Sequence, residues 1–180
     1  MSNKYTILTA SGVSFDLANP KAELISIHDI SLSLSRECRY NNHCNTFYSV
    51  ADHVLNGRKY VDPKHLKYWD LHDAEECYLG DVPTPLKRLL GQAWEAVREG
   101  VHKAICERFN LPTTEPPEVK MNDTRLLLAE REVLFDKQQL MELWWIDTVD
   151  HNIEYDHVDV IIRPMWKSYK EYYDILKQYR

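Results

Sequence analysis

The chain has 180 residues, enough for one domain to bury a sizeable core without disulfides or a structural metal. Its formal net charge of −6 argues against a broad electrostatic attraction to a nucleic-acid polymer or an anionic membrane, so phosphate binding has to be local. Cys38, Cys44, Cys77 and Cys106 form no CxxC pair, the N-terminus carries no charged-then-apolar leader, and no apolar run approaches the ~18 residues of a membrane span, which together predict a soluble, cytoplasmic protein with reduced thiols.

Along the chain, residues 5–17 read as a small β-hairpin, because Ile7, Val13 and Phe15 are strand formers around the turn dipeptide Ser11-Gly12. The period then becomes helical. Ile27, Ile30 and Leu34 recur at i, i+3, i+7 as the inner face of a short helix ending near Arg36, and a polar, Asn-rich loop covers 38–46. Phe47, Val50, Ala51, Val54 and Leu55 form an apolar stripe that predicts a helix over 47–60. Asp62 and Pro63 suit an N-cap and a first helical position, opening a second helix to about Leu79 that pairs with the first as an antiparallel hairpin. Gly80 ends it, and Thr84-Pro85 starts another helix through Leu90. A long amphipathic helix follows over 92–109, and the prolines of 112–117 separate it from a helix over 118–135. Residues 137–145 extend that helix, and 147–159 carry little pattern. Residues 163–180, with Trp166, Tyr169, Tyr173 and Leu176, read as a terminal helix packing an aromatic stripe. The expected fold class is all-α: one compact helical bundle over 1–180 with a small N-terminal β-hairpin.

The most informative segment is Leu71-His72-Asp73-Ala74-Glu75-Glu76. On a helix, His72, Asp73 and Glu76 fall within an arc of roughly 100° that also contains Trp69, so they point inward. Inward ionisable groups are costly unless paired or bound to a metal. In the hairpin, His53 and His72 stand roughly 10 and 14 Å from the turn, at similar height on neighbouring helices. The helix over 118–135 places Asp123 on one face with Val119, Leu126, Leu127, Glu130 and Leu134. Two imidazoles and two carboxylates suit one divalent transition metal (Mn, Fe, Co, Ni or Zn) and leave positions open for water and a substrate oxygen. Glu76, one turn from His72, is placed to orient or deprotonate that water.

The order His53, His72-Asp73, Asp123 resembles the H…HD…D pattern of the HD phosphohydrolase superfamily. The string HDAEECYLGDVPTPLK, residues 72–87, is similar to its bacterial 5′-deoxynucleotidases. The run LSRECRYNNHC…FYSVADH, residues 34–53, resembles compact phage relatives that include dATP triphosphohydrolases. The likeness covers about 25–132. It implies an HD-domain helical bundle, metal ligands His53, His72, Asp73 and Asp123, and Glu76 assisting the attacking water. It also implies that Lys87 and Lys120 hold phosphate oxygens, that Asp81 contacts the sugar near its 3′ side, and that Arg39 and Tyr40 clamp the deoxyribose and base. Arg36 competes with Arg39 for that role and ranks below it. His43, in the same loop, stands beside the expected pocket. Lys87 also lies early in the helix after Pro85, where free backbone N–H groups attract phosphate. The implied reaction is hydrolysis of a deoxynucleoside 5′-phosphate ester, with dATP giving deoxyadenosine and triphosphate favoured over action on dNMPs; a non-catalytic nucleotide-binding module is the third reading. The resemblance also implies a homo-oligomer, a dimer or a higher assembly such as a hexamer.

The remaining polar residues have plainer expectations. His28, His65, His102, His151 and His157 read as hydrogen-bonded histidines, Glu130 as an ion-pair partner rather than a ligand, and Glu75 and Arg88 as solvated surface.

Overall fold

The computed structural model describes residues 4–136, 153–155 and 157–180; the helical extension expected over 137–145 and much of 147–159 lie outside them. The described fold is mostly helical, with one two-stranded sheet. Strands β1 (Thr6–Leu8) and β2 (Ser14–Asp16) pair antiparallel with Ile7 opposite Phe15, and Gly12 supplies the positive φ of 79° that the connecting turn needs. The hairpin is pinned to helix α1 (Ile27–Leu34) by Asp29, which accepts from the Ser11 backbone N–H at 2.7 Å and from its hydroxyl at 2.6 Å. Ser26 caps α1, and Ile27, Ile30 and Leu34 are buried.

Helix α2 (Val50–Gly57) starts later than its apolar stripe implies. Ser49 and Asp52 close a capping box there, leaving Tyr48 outside the helix as a buried aromatic. The single helix expected from residue 63 to 79 is broken. A 3-10 turn (Pro63–His65), helix α3 (Leu66–Trp69) and helix α4 (Glu76–Leu79) are separated by turns over 70–75. Side chains occupy the carbonyls that a continuous helix would use. His72 Nδ1 lies 2.6 Å from the Trp69 carbonyl, and the Tyr172 hydroxyl donates to the Asp70 carbonyl at 2.7 Å. The backbone therefore closes i→i+3 bonds instead, from Ala74 N to Leu71 O and from Glu76 N to Asp73 O, both 3.0 Å.

Helices α5 (Thr84–Leu90), α6 (Gln92–Phe109) and α7 (Pro117–Leu134) follow, with Asn110 in the left-handed conformation ending α6. Helix α8 (Met165–Leu176) packs across α1 and α2 through Ser168, Tyr172 and Leu176. The stripe thus runs in four-residue steps from Ser168. Trp166, expected on the packed face, is 68% exposed, and Tyr169 and Tyr173 are half-buried against His28. One hydrophobic core unites Ile30, Leu34, Val50, Val54, Trp69 and Leu126. Gly57 lets Trp69 approach α2: a Cβ there would overlap the indole ring. Among the described residues no helix is long and apolar enough to cross a membrane.

Candidate metal centre

Helix α2 carries His53 into the core, where it is fully buried, and the turn after α3 brings His72 beside it with ring centroids 5.5 Å apart. Trp69 backs both rings, stacked on His72 at 4.4 Å and tilted against His53 at 5.6 Å. Each imidazole is oriented through Nδ1. For His72 the neighbour is the Trp69 carbonyl, which only accepts, so Nδ1–H is the donor and the Nε2 lone pair is free for a ligand. For His53 the neighbour is the Glu130 carboxylate, 2.7 Å away, with the same consequence.

The two Nε2 atoms face the carboxylates. His72 Nε2 is 3.3 Å from Asp73 Oδ2, and His53 Nε2 is 3.7 Å from the same oxygen and 3.3 Å from Asp123 Oδ1. Ligand atoms of His53, His72 and Asp123 lie within 4.8 Å of one another, so these three residues can hold a metal ion. A test of fit comes from unmet bonding: His53 Nε2, His72 Nε2, Asp73 Oδ2 and Glu76 Oε2 are all buried without a hydrogen-bond partner. Unsatisfied buried atoms are rare and costly, and the three on His53, His72 and Asp73 are of the donor types that a divalent cation takes.

The charge balance is set at close range. Burial works to raise the Asp123 carboxyl, but His53 and Lys120 Nζ, 2.8 Å from Oδ2, outweigh it and hold the group well below the usual carboxylate range. Burial also works to raise Glu130, and Arg39 and His53 bring it down to about 2. For His53, burial and the Arg39 charge are unfavourable to the imidazolium, yet Glu130 and Asp123 push it up to about 9, so a metal held at Nε2 would displace a proton there. Glu76 behaves oppositely: burial, reinforced by Asp73 and Asp81, raises its carboxyl well above the usual range, and Lys87 Nζ at 3.9 Å only partly counters this.

His72, Asp73, Glu76 and Asp123 line a cavity of about 1100 Å³, with His53 buried behind them. Arg39, Tyr40, His43, Asp81, Lys87 and Lys120 line it. Gly80, at φ 78°, turns the chain out of α4 toward Asp81. Tyr40, Asn41 and Asn42 all have positive φ (58°, 52° and 63°), and for a residue such as Tyr40 this costs roughly 1–2 kcal/mol.

No protein-family model matches the chain. It is similar to the "Uncharacterized protein YfdR" of Escherichia coli (strain K12), with 37% identity over 128 residues, 71% of each chain. The chain belongs to the YfdR family. A second relative is the "Uncharacterized protein RCAP_rcc00048" of Rhodobacter capsulatus, 33% identical over 119 residues, 61% of each chain.

In this YfdR-family chain, Arg36 stands apart from the metal cluster. It lines a smaller depression with Ile7, Leu8, Asp29 and Glu37, and takes no part in the large cavity. Four cavity residues, Glu75, Arg98, His102 and Glu115, were given no place at the site by the sequence. Glu75, expected as solvated surface, has a side chain only 15% exposed; it lies 3.4 Å from Arg98 and 3.3 Å from His102. Arg98 and His102 are one turn apart on α6, a spacing visible in sequence, but only the fold reveals that Glu75 faces them. Glu115, before α7, lines the cavity too, and burial raises its carboxyl.

Proposed function

We propose that the chain is an HD-type metal-dependent phosphohydrolase acting on a deoxynucleoside 5′-phosphate ester, with dATP to deoxyadenosine plus triphosphate as the favoured reaction. The observation that carries this reading is the set of buried, unpartnered atoms on His53, His72 and Asp73, beside Asp123, next to a cavity that Arg39, Lys87 and Lys120 also line. In this reading Asp73 joins His53, His72 and Asp123 as the fourth ligand, and the ion is Mn, Fe, Co, Ni or Zn. When bound, such an ion lowers the pKa of water and offsets negative charge on a phosphoryl oxygen.

The chain's own groups do the rest. Glu76, with one oxygen buried and unpartnered, takes the proton of the attacking water. The water oxygen forms a bond to the phosphorus attached to the 5′ oxygen, that P–O bond breaks, and the 5′ oxygen leaves with the proton that Glu76 took from the water. Lys87 and Lys120 hold phosphate oxygens, with Lys120 exchanging part of its contact to Asp123 for substrate. Arg39 and Tyr40 clamp the sugar and base, Asp81 faces the 3′ side, and His43 borders the same wall. A triphosphate is favoured over a monophosphate by room: the cavity of about 1100 Å³ is lined by Lys87 and also by Arg98 and Lys103, which pair with Glu75, Glu95 and Glu99.

The test is product analysis. The protein is incubated with each dNTP and dNMP plus Mn²⁺, Co²⁺ or Zn²⁺, and phosphate is resolved from triphosphate, with Asp73→Ala as the inactive control. Triphosphate release from dATP is the expected outcome. Phosphate release from dNMPs alone would instead make the chain a 5′-deoxynucleotidase, and absence of all turnover would leave a nucleotide-binding module.

A further inference from the structure

We propose that Glu130 is a positioning residue that couples metal binding to the substrate loop, one carboxylate oxygen aligning His53 and the other holding Arg39 and Tyr40. The inference rests on the metal-centre reading above. Glu130 is fully buried on α7. Its Oε1 lies 2.7 Å from His53 Nδ1 and accepts from the Tyr48 hydroxyl at 2.9 Å. Its Oε2 accepts from Arg39 Nε at 3.2 Å and from the Tyr40 hydroxyl at 2.8 Å. Four donors saturate the lone-pair directions of one carboxylate. They come from two sides of the site: α2 supplies the metal ligand, and the segment preceding it supplies the cavity wall.

Filling the core does not explain this arrangement, since an apolar side chain would do that without desolvating a charge. Two further observations give it a direction. Arg39 Nη1 lies 3.9 Å from Asp73 Oδ2, so the guanidinium held by Glu130 also faces the metal cluster. The loop itself is strained, with Tyr40, Asn41 and Asn42 in consecutive left-handed conformations that persist only where surrounding contacts impose them. The Tyr40 hydroxyl on Glu130 and the Tyr40 ring edge-on to Phe135 at 5.1 Å are two such contacts. His53, which would ligate the ion, and the loop residues Arg39 and Tyr40 therefore share one carboxylate.

The test uses the metal-free full chain titrated with Co²⁺, followed by its visible d–d absorption, with hydrogen exchange measured over residues 38–48. Glu130→Gln is expected to bind Co²⁺ about 10–100-fold more weakly, with a changed absorption band, because the imidazole loses its charged orienting partner. Exchange in its loop should no longer slow when Co²⁺ is added. Tyr40→Phe leaves the His53 side of Glu130 intact and covers the case in which Glu130→Gln does not fold. Its Co²⁺ affinity should stay within about threefold of wild type, while its loop loses the response to Co²⁺. Wild-type Co²⁺ affinity in Glu130→Gln, or a full loop response in Tyr40→Phe, would overturn the coupling and leave the phosphohydrolase reading standing. Failure of the wild type to bind Co²⁺ would overturn both.

Discussion

Removing the Asp123 carboxylate is the sharpest test of whether the cluster is a metal site, because the expected size of the effect follows from mass action. Metal that binds only the folded state stabilises it by RT ln(1 + [L]/Kd), which is about 2.7 kcal/mol at a free Co²⁺ concentration 100 times Kd. For a chain of this length, roughly 2–4 °C per kcal/mol gives a rise in Tm of about 5–11 °C. Asp123 supplies one of three ligand atoms within 4.8 Å of one another, and its Oδ1 is 3.3 Å from His53 Nε2. Loss of an outer partner of a ligand typically weakens metal binding 10–100-fold, and loss of a ligand itself costs at least the upper end. At the same Co²⁺ concentration, a 100-fold weaker site gains only about 0.4 kcal/mol, a shift of about 1–2 °C. The assay is differential scanning calorimetry of chelator-stripped wild type and Asp123→Ala with and without Co²⁺. Comparing the two chains cancels binding of Co²⁺ to cysteines and histidines in the unfolded state. Equal shifts in wild type and variant, or none in wild type, would refute the assignment.

Three further outcomes are expected. Glu76→Gln should lower kcat about 10²–10⁴-fold with little change in KM, since it removes a proton acceptor while keeping the side chain's size; a steady-state titration with dATP decides this. Gly57→Ala should destabilise the fold by about 1–3 kcal/mol in urea denaturation, because the added Cβ overlaps the Trp69 ring that backs both histidines. The third concerns pH. His102 is raised to about 10 by Cys106 and by Glu75, with Thr113 adding to the effect. Between its ordinary value near 6.5 and about 10 the folded chain therefore binds more protons than the unfolded one. The stabilisation is complete below about pH 6.5 and is lost as pH rises through about 10. Urea midpoints measured from pH 6 to 10 should fall more steeply for wild type than for His102→Gln, and parallel curves would remove His102 from the account.

The fold class was legible because its signals are local. The three-four spacing of Ile27, Ile30 and Leu34 marks the buried face of α1, the flanking strand formers mark the hairpin, and the residues 92–109 written as a helix are α6 itself. The candidate metal site was partly legible for the same reason: a histidine on one apolar stripe, a His-Asp pair beside a tryptophan and an aspartate on another stripe are each readable along one segment. What sequence could not show is how these segments meet. The break between α3 and α4 depends on Tyr172, some 100 residues away, taking the Asp70 carbonyl, and no local pattern near His72 announces it.

Taken alone, the sequence determined which residues repeat at helical spacing, where chains of polar atoms interrupt them, and which side chains have the chemistry of metal ligands. Tertiary structure decided the rest: that Glu130 meets His53 and Arg39 at once, that Glu75 turns into the cavity, and that Arg36 turns away from it. Periodicity records what a residue's neighbours along the chain require. Hydrogen bonds between residues 77 to 91 positions apart record how helices pack, and that is settled only when the whole core closes.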